Sequence, residues 1–305
     1  MMQVGSGDRG VLLAVAAIWG LNFVSATYAL ESFTPWMLRV VTFLGGALIL
    51  AVVAAARKIS LRLLRPRDAL HLAIAGTFSV AGFGALSALA LLNTTAGRAS
   101  VCLYLMPIWV ALLSKVVLRE NLGRNRTAAV LIGIAGLSVL LVPLLKSGLS
   151  YGALAATGAG LSWAIGTVYL KWARVPSHQL TVTIWQLVAG GIVSVIGAIL
   201  WHESFPTQIT MHASWGIAYT TIMGTAVAYL LWFGAIARLP ASTAGLGTLL
   251  VPVFGMLASI VLLGERPTIT DIIGFSLIFV AGLLALPSRA RTASAHPSPA
   301  PRKTR

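Results

Sequence analysis

The chain has 305 residues, of which 58% are hydrophobic and only 10% are charged. Because soluble domains carry about 25% charged residues, this composition excludes an ordinary soluble domain and indicates an integral membrane protein. The net charge of +15 does not indicate nucleic-acid binding, since the basic residues lie between apolar runs rather than along one face. A single cysteine, Cys102, excludes an intramolecular disulfide, and with no zinc or iron–sulfur ligand set we expect no metal and no cofactor.

Ten apolar runs are long enough to cross a bilayer, which takes roughly 20 residues per helix. In chain order the runs are 10–30, 35–56, 69–92, 95–117, 127–145, 151–173, 179–200, 213–237, 241–263 and 270–287. The segments between them are short, so neighbouring helices should be antiparallel. The sequence therefore predicts an all-α integral membrane protein with ten transmembrane helices.

The chain repeats itself, since residues 93–138 are echoed in residues 238–282. Pro107 and Pro252 are 145 residues apart, and so are Glu120 and Glu265. Each half holds five runs, and an odd number of spans inverts the second half relative to the first. We expect a cytoplasmic N-terminus (1–9), a first five-helix repeat (10–145) and a second, inverted five-helix repeat (151–287).

The distribution of Lys and Arg predicts the orientation. With the N-terminus inside, 18 of the 22 basic residues fall on the cytoplasmic side, and three fall outside: Arg98, Lys146 and Arg266. This bias follows the positive-inside rule and places both termini in the cytoplasm. Residues 288–305, rich in Pro, Ser and Arg, are expected to be a disordered basic cytoplasmic tail.

Several phrases of the sequence resemble the EamA family of the drug/metabolite transporter superfamily. They are Ile18-Trp19-Gly20-Leu21-Asn22-Phe23, Pro35 followed by Arg39, Ala96 to Glu120 around Pro107, Leu161-Ser162-Trp163-Ala164, and Pro252 to Glu265. The resemblance covers residues 10–287 and is greatest to the YddG-type exporters of aromatic amino acids. It implies a bundle of ten helices, a bacterial inner-membrane location and a central substrate cavity.

The acidic residues are informative because all seven map to loops or to the ends of runs. Proton-coupled pumps usually keep a buried carboxylate for the proton relay. The absence of an acidic residue from the middle of any run therefore disfavours antiport of organic cations and favours facilitated transport. Coupling through His71 stays open, beside the simpler interpretation that His71 is an interface residue.

Polar and aromatic side chains in the middle of the runs are the candidate cavity residues. They are Trp19, Asn22, Phe78, Ser79, Phe83, Tyr104, Trp163, Thr167, Thr225, Tyr229 and Thr248. A cavity for an aromatic amino acid needs such a mixture, because rings stack on rings while hydroxyls and amides hold the polar groups. The alternative is that these residues only pack helices together.

Three further residues have an open interpretation. Arg39, inside the second run, either attracts a substrate carboxylate or pairs with a carbonyl or a lipid headgroup. Pro107 and Pro252 each interrupt the backbone hydrogen bonding of a helix, so they are either hinges for alternating access or static kinks.

The hypothesis that agrees best with these features is an exporter of amino acids, aromatic or otherwise apolar, and of related metabolites. A transporter of another metabolite, such as a sugar phosphate, is the main alternative, although that anion would call for more than one intramembrane cation. A membrane enzyme would need a catalytic cluster, whereas the five histidines are scattered, and a channel would favour a symmetric pore. The expected partners are a small-molecule substrate and membrane lipid, with no nucleic acid; a monomer is compatible with the sequence.

Overall fold

The computed structural model describes residues 6–93, 102–145, 151–264 and 266–286. Within these ranges every regular element is a helix and no strand occurs, as the sequence predicts. Arg98, Lys146, Glu265 and the predicted tail 288–305 lie outside the described residues, as does the first part of the fourth predicted run.

Ten helical rods make up the described part of the chain. The first half holds α1 (Ser6–Ala29), α2 (Pro35–Ala56), α3 (Pro66–Gly76), α4 (Phe83–Asn93), α5 (Met106–Val117) and α6 (Gly123–Leu145). The second half holds α7 (Tyr151–Ala173), α8 (Gln179–Leu200), α9 (Met211–Tyr219), α10 (Ala228–Arg238), α11 (Ala241–Gly247), α12 (Val251–Leu263) and α13 (Ile269–Ala285). The third, eighth and ninth rods consist of two helices each: α3–α4, α9–α10 and α11–α12.

Seven of these rods are long and apolar enough to cross a membrane. The helices α5 and α13 are also apolar but shorter, and α6 has 23 residues. Ten rods of this kind agree with the ten predicted transmembrane helices.

The third and eighth rods change helix type in the middle. A π-helical segment, Thr77–Gly82, joins α3 to α4, and another, Thr220–Val227, joins α9 to α10. The last residues of the two segments are 145 positions apart, so the sequence repeat extends to this distortion. Because π segments are rare and frequently occur at functional sites, these two rods are where a site is expected.

The pairing of rods follows a two-fold pattern. The second rod packs against the seventh, the fourth against the ninth and the fifth against the tenth. The third rod also packs against the sixth, and the eighth packs correspondingly against the first. Exchanging the two halves leaves this set of contacts unchanged, as expected for halves related by a two-fold axis in the membrane plane.

Small residues permit the close contacts between the halves. Gly191 on α8 faces Leu44 on α2, and Gly136 on α6 faces the backbone oxygen of Gly274 on α13. A Cβ atom at Gly136 would lie 2.9 Å from that oxygen, which no side chain tolerates. Membrane helices are held by such packing because lipid is as apolar as the helix surface and provides no hydrophobic driving force.

Contacts between rod ends define two opposite faces of the bundle. At the face where α1 begins, Asp8 pairs with Arg238, and Leu286, just beyond α13, packs near Ala16. At the other face, Glu203 accepts a hydrogen bond from the backbone of Met37. We call the first one the basic face, because the described loops there carry most of the Lys and Arg residues.

Candidate functional site

Four aromatic side chains meet in the middle of the bundle, between the two halves. The rings of Trp163 on α7 and Trp232 on α10 are stacked, with centroids 4.7 Å apart and planes inclined by 29°. Trp19 on α1 lies beside them, its ring 5.7 Å from Trp232 and 5.7 Å from Tyr229. We call Trp19, Trp163, Tyr229 and Trp232 the aromatic cage. Trp19 is half-buried, whereas the other three rings are at most 7% exposed.

The eighth rod anchors this cage through its π segment. Trp19 Nε1 donates a hydrogen bond to the backbone oxygen of Gly224, at 3.0 Å. The Asn22 side chain, one turn along α1, lies so close to Gly224 that a Cβ atom there would collide with it. The α1 face that carries Trp19 and Asn22 is therefore fitted to the π segment, and glycine is required at the contact point.

Several polar atoms around the cage are buried without a hydrogen-bond partner among the described residues. They include Asn22 Oδ1, Thr167 Oγ1 and Trp232 Nε1, and Thr220 Oγ1 in the π segment is a further example. An unsatisfied buried polar group costs about 1–3 kcal/mol, so native proteins keep few of them. Four of the seven such atoms among the described residues lie on the three rods that carry the cage, which favours a polar partner from outside the chain at this place.

Arg39 lies on α2, towards the face opposite the basic face. Its guanidinium carbon is 5.9 Å from the centre of the Phe43 ring, a distance at which a cation is attracted by an aromatic face. No described residue forms an ion pair or a hydrogen bond with the Arg39 side chain. Phe43 in turn is 6.5 Å from Tyr229, so aromatic rings connect the free cation to the cage.

The remaining predicted residues make no ring contact with the cage among the described residues, and each has other contacts. Ser79 is buried and donates to the Ala75 oxygen and to Gln186 Oε1. Phe83 packs against the apolar cluster that contains Trp163, Tyr229 and Trp232. Tyr104 contacts Phe23 edge to face, at 6.0 Å. Three others occupy separate positions: Phe78 is 39% exposed, Thr225 faces Gly46, and Thr248 donates to the Gly245 oxygen. Their roles in a cavity stay predictions.

The structure also brings in residues that the sequence analysis missed. Trp232 and Phe43 belong to the ring system, and Gly224 accepts the Trp19 hydrogen bond. Helical spacing could have indicated two of them, since Trp232 follows Tyr229 by three positions and Phe43 follows Arg39 by four. No sequence signal marks Gly224, because its importance depends on a neighbouring rod.

The fourth and ninth rods are interrupted just before their prolines. Pro107 lies in the first turn of α5, and Pro252 in the first turn of α12 after a short 3₁₀ segment, Thr248–Leu250. A proline in the first turn of a helix lacks an N–H group that would have no helical partner anyway. The predicted kinks are thus changes of helix at these positions, and their use as hinges stays a prediction.

A network of charged side chains closes the basic face below the cage. The Glu120 carboxylate accepts hydrogen bonds from the backbone N–H groups of Ala241 and Ser242 and from the Ser242 hydroxyl. Arg126 donates to the same hydroxyl, at 2.8 Å. Lys171 Nζ donates to the backbone oxygens of Ile236, Ala237 and Leu239. We call Glu120, Arg126, Lys171 and Ser242 the basic-face network.

This network is suited to hold helix ends. Glu120 stabilises the positive N-terminal end of α11, and Lys171 stabilises the negative C-terminal end of α10. Between the network and the cage, Ile236, Leu239 and Leu246 are at most 1% exposed. Among the described residues, these three apolar side chains are therefore closed to solvent. A surface groove of about 510 Å³ at the N-terminal end of α6 shares no residue with the cage.

A cluster of rings and unsatisfied polar atoms between two related five-rod halves is the arrangement expected of a membrane transporter of small molecules. The model of the EamA-like transporter family matches residues 9–142 and 150–286. The chain therefore belongs to the EamA-like transporter family, and it is a multi-span integral membrane protein. The match confirms the family that the sequence motifs resemble.

Relatives and a solved structure support the same family and fold. "Uncharacterized transporter YvbV" of Bacillus subtilis is 27% identical, with 97% of each chain covered. "Probable amino-acid metabolite efflux pump" of Escherichia coli is 27% identical over 90% of this chain and 93% of its own. "Protein PecM" of Dickeya dadantii is 29% identical over 87% of each chain. A crystal structure with 21% identity superposes with a TM-score of 0.76, covering 92% of this chain and 97% of its own.

Proposed function

We propose that this transporter exports amino acids, aromatic or otherwise apolar, and related metabolites across the bacterial inner membrane. Both termini lie in the cytoplasm in this proposal, so the basic face is the cytoplasmic face. The activity is that of the YddG-type exporters, which the sequence motifs resemble.

The observation that carries the proposal is the aromatic cage with a free cation beside it. Trp19 and Tyr229 offer ring surface to an apolar side chain, at roughly 0.5–1.5 kcal/mol per ring pair beyond burial. Arg39 offers a charge to a carboxylate, and Asn22 offers an unsatisfied polar group. An aromatic amino acid matches these features, and the name of the Escherichia coli relative agrees with that class of solute.

Alternating access follows from the two related halves. In the described conformation the basic-face network is formed, and Ile236, Leu239 and Leu246 are buried. Export requires a second conformation in which these contacts are released, and Pro107 and Pro252, beside the interruptions of two rods, are the proposed hinge positions. No carboxylate lies beside the cage among the described residues, which favours facilitated transport over proton coupling.

Counterflow in liposomes tests the proposal. Purified protein in liposomes loaded with unlabelled phenylalanine should accumulate labelled phenylalanine, tyrosine or tryptophan, and protein-free liposomes should not. Glucose 6-phosphate represents the alternative class of solute, a sugar phosphate. Movement of glucose 6-phosphate with no movement of any amino acid would show that the proposed substrate class is wrong.

A further inference from the structure

We infer that the site recognises its solute by the carboxylate and not by the ammonium group, so that it also carries aromatic carboxylates without an amine. This inference rests on the proposed function and narrows the class of substrate. It follows from an imbalance of charge around the aromatic cage.

The positive charge near the cage is the guanidinium group of Arg39. A cation inside a membrane rod is costly and is normally paired with a carboxylate or with backbone oxygens. Arg39 has neither among the described residues, and its guanidinium group lies near the Phe43 ring. The guanidinium group thus keeps its hydrogen-bond donors free, and a planar carboxylate is the partner that such a fork binds best.

Among the described residues, no carboxylate lies around the cage, because each one is engaged or placed elsewhere. Glu120 binds α11, Glu203 binds α2 and Asp271 caps the start of α13. Asp8 pairs with Arg238, and Glu31 lies near Thr210 and His212 at the opposite face. Asp68 belongs to the first turn of α3 at the basic face. No described carboxylate is therefore available to a substrate ammonium group beside Arg39.

Aromatic faces do not replace the missing carboxylate. An ammonium ion is attracted by the face of a ring, but Trp163 and Trp232 use one face each to stack on each other. The ring surfaces of Trp19 and Tyr229 are assigned here to the apolar side chain of the solute. Asn22 Oδ1 and Thr167 Oγ1 are neutral acceptors, and they serve a hydroxyl or a water as well as an ammonium group. Recognition of charge at this site is consequently one-sided.

One-sided recognition predicts an order among three solutes with the same ring. Phenylalanine has both charges, 3-phenylpropionate has only the carboxylate, and 2-phenylethylamine has only the ammonium group. The site should carry the first two at rates within about threefold of each other. It should reject the third by at least tenfold, since Arg39 repels a cation and no described side chain nearby compensates for its lost hydration.

The inference also predicts a difference in voltage dependence. Phenylalanine at neutral pH has no net charge, whereas 3-phenylpropionate carries one negative charge across the membrane. A potential of 100 mV should therefore change the equilibrium distribution of 3-phenylpropionate by about fifty-fold and leave that of phenylalanine unchanged. An inside-negative potential would drive such anions out of the cell.

The experiment measures counterflow of the three labelled solutes in liposomes, with and without a potassium diffusion potential, and with leak into protein-free liposomes subtracted. Arg39→Gln should lower 3-phenylpropionate transport at least tenfold, while Arg39→Lys retains part of it. Lys115→Gln is the matched control, because Lys115 is an exposed cation near the end of α5. A melting curve of each purified variant verifies that it is folded.

The possible outcomes separate the inference from the proposed function. Transport of phenylalanine without 3-phenylpropionate, or equal transport of 2-phenylethylamine, would overturn the inference and leave the proposed function standing. Transport of 3-phenylpropionate with no amino acid carried would support carboxylate recognition and overturn the proposed amino-acid export. Movement of none of the three would overturn both.

Discussion

Asn22 shows at the residue scale how a residue suited to binding differs from one that only packs. Its side chain fits against Gly224 of another rod, yet its oxygen has no hydrogen-bond partner in the described structure. Ser79, also predicted for the cavity, instead donates to Ala75 and Gln186 and is satisfied within the protein. The unsatisfied residue costs stability, and such a cost is expected where a ligand supplies the missing bond.

Asn22→Leu should therefore separate stability from transport. Leucine has a similar size and removes the unsatisfied oxygen, so the melting temperature should rise by roughly 2–4 °C. Counterflow of phenylalanine should fall at least tenfold. Asn93→Leu is the control, since Asn93 is exposed at the end of α4 and should change neither property. Normal counterflow by Asn22→Leu would remove Asn22 from the site.

Trp19→Phe tests the hydrogen bond between α1 and the π segment. Phenylalanine keeps an aromatic ring in the cage but cannot donate to the Gly224 oxygen. We expect the transport rate to fall about fivefold, which corresponds to the loss of roughly 1 kcal/mol. Trp215→Phe, at a side chain that is 69% exposed on α9, should transport at the normal rate. Equal rates for both variants would argue against a role of this hydrogen bond.

At the scale of elements, the interruptions of the rods explain where a site can form between apolar helices. Each half contains one π segment, and the segment of the eighth rod presents the Gly224 oxygen to Trp19. The basic-face network acts at the other type of interruption, the loop between the eighth and ninth rods, where it holds the end of α10 and the beginning of α11.

Release of the basic-face network should expose residues that are now buried below the cage. In a Cys102→Ser background, Ala244→Cys places one thiol at a fully buried position on α11. Glu120→Gln removes a charge-assisted contact of roughly 1.5–3 kcal/mol, so thiol labelling from the basic face should become at least fivefold faster. Glu203→Gln, which changes an acid at the opposite face, is the control and should leave labelling unchanged. No acceleration in Glu120→Gln would show that the network does not keep this face closed.

The whole molecule combines two related halves whose contacts obey a two-fold exchange. The chain ends of the described residues lie at the same face, since Asp8 pairs with Arg238 and Leu286 packs near Ala16. An even number of rods requires this arrangement. The identity of that face with the cytoplasmic face remains part of the proposal, because it depends on the positive-inside rule.

Reporter fusions test the arrangement of the ends. Alkaline phosphatase fused to either terminus should be inactive, because it needs the periplasm to form its disulfides, and green fluorescent protein should fluoresce at both. A phosphatase fused after residue 207, between the seventh and eighth rods, should be active as the positive control. Opposite results at the two termini would exclude an even number of spans.

The sequence by itself determined the number and the order of the rods. A bilayer of fixed thickness demands about 20 apolar residues per helix, and the 145-residue offset between Pro107 and Pro252 reveals the two halves. The tertiary structure alone decided which side chains of each rod meet. Trp19, Trp163 and Tyr229 share the cage, Trp232 joins them unexpectedly, and Ser79 instead forms hydrogen bonds with Ala75 and Gln186. The physical reason is that lipid and protein interior are both apolar, so the sequence of a membrane helix does not mark the face that turns inward.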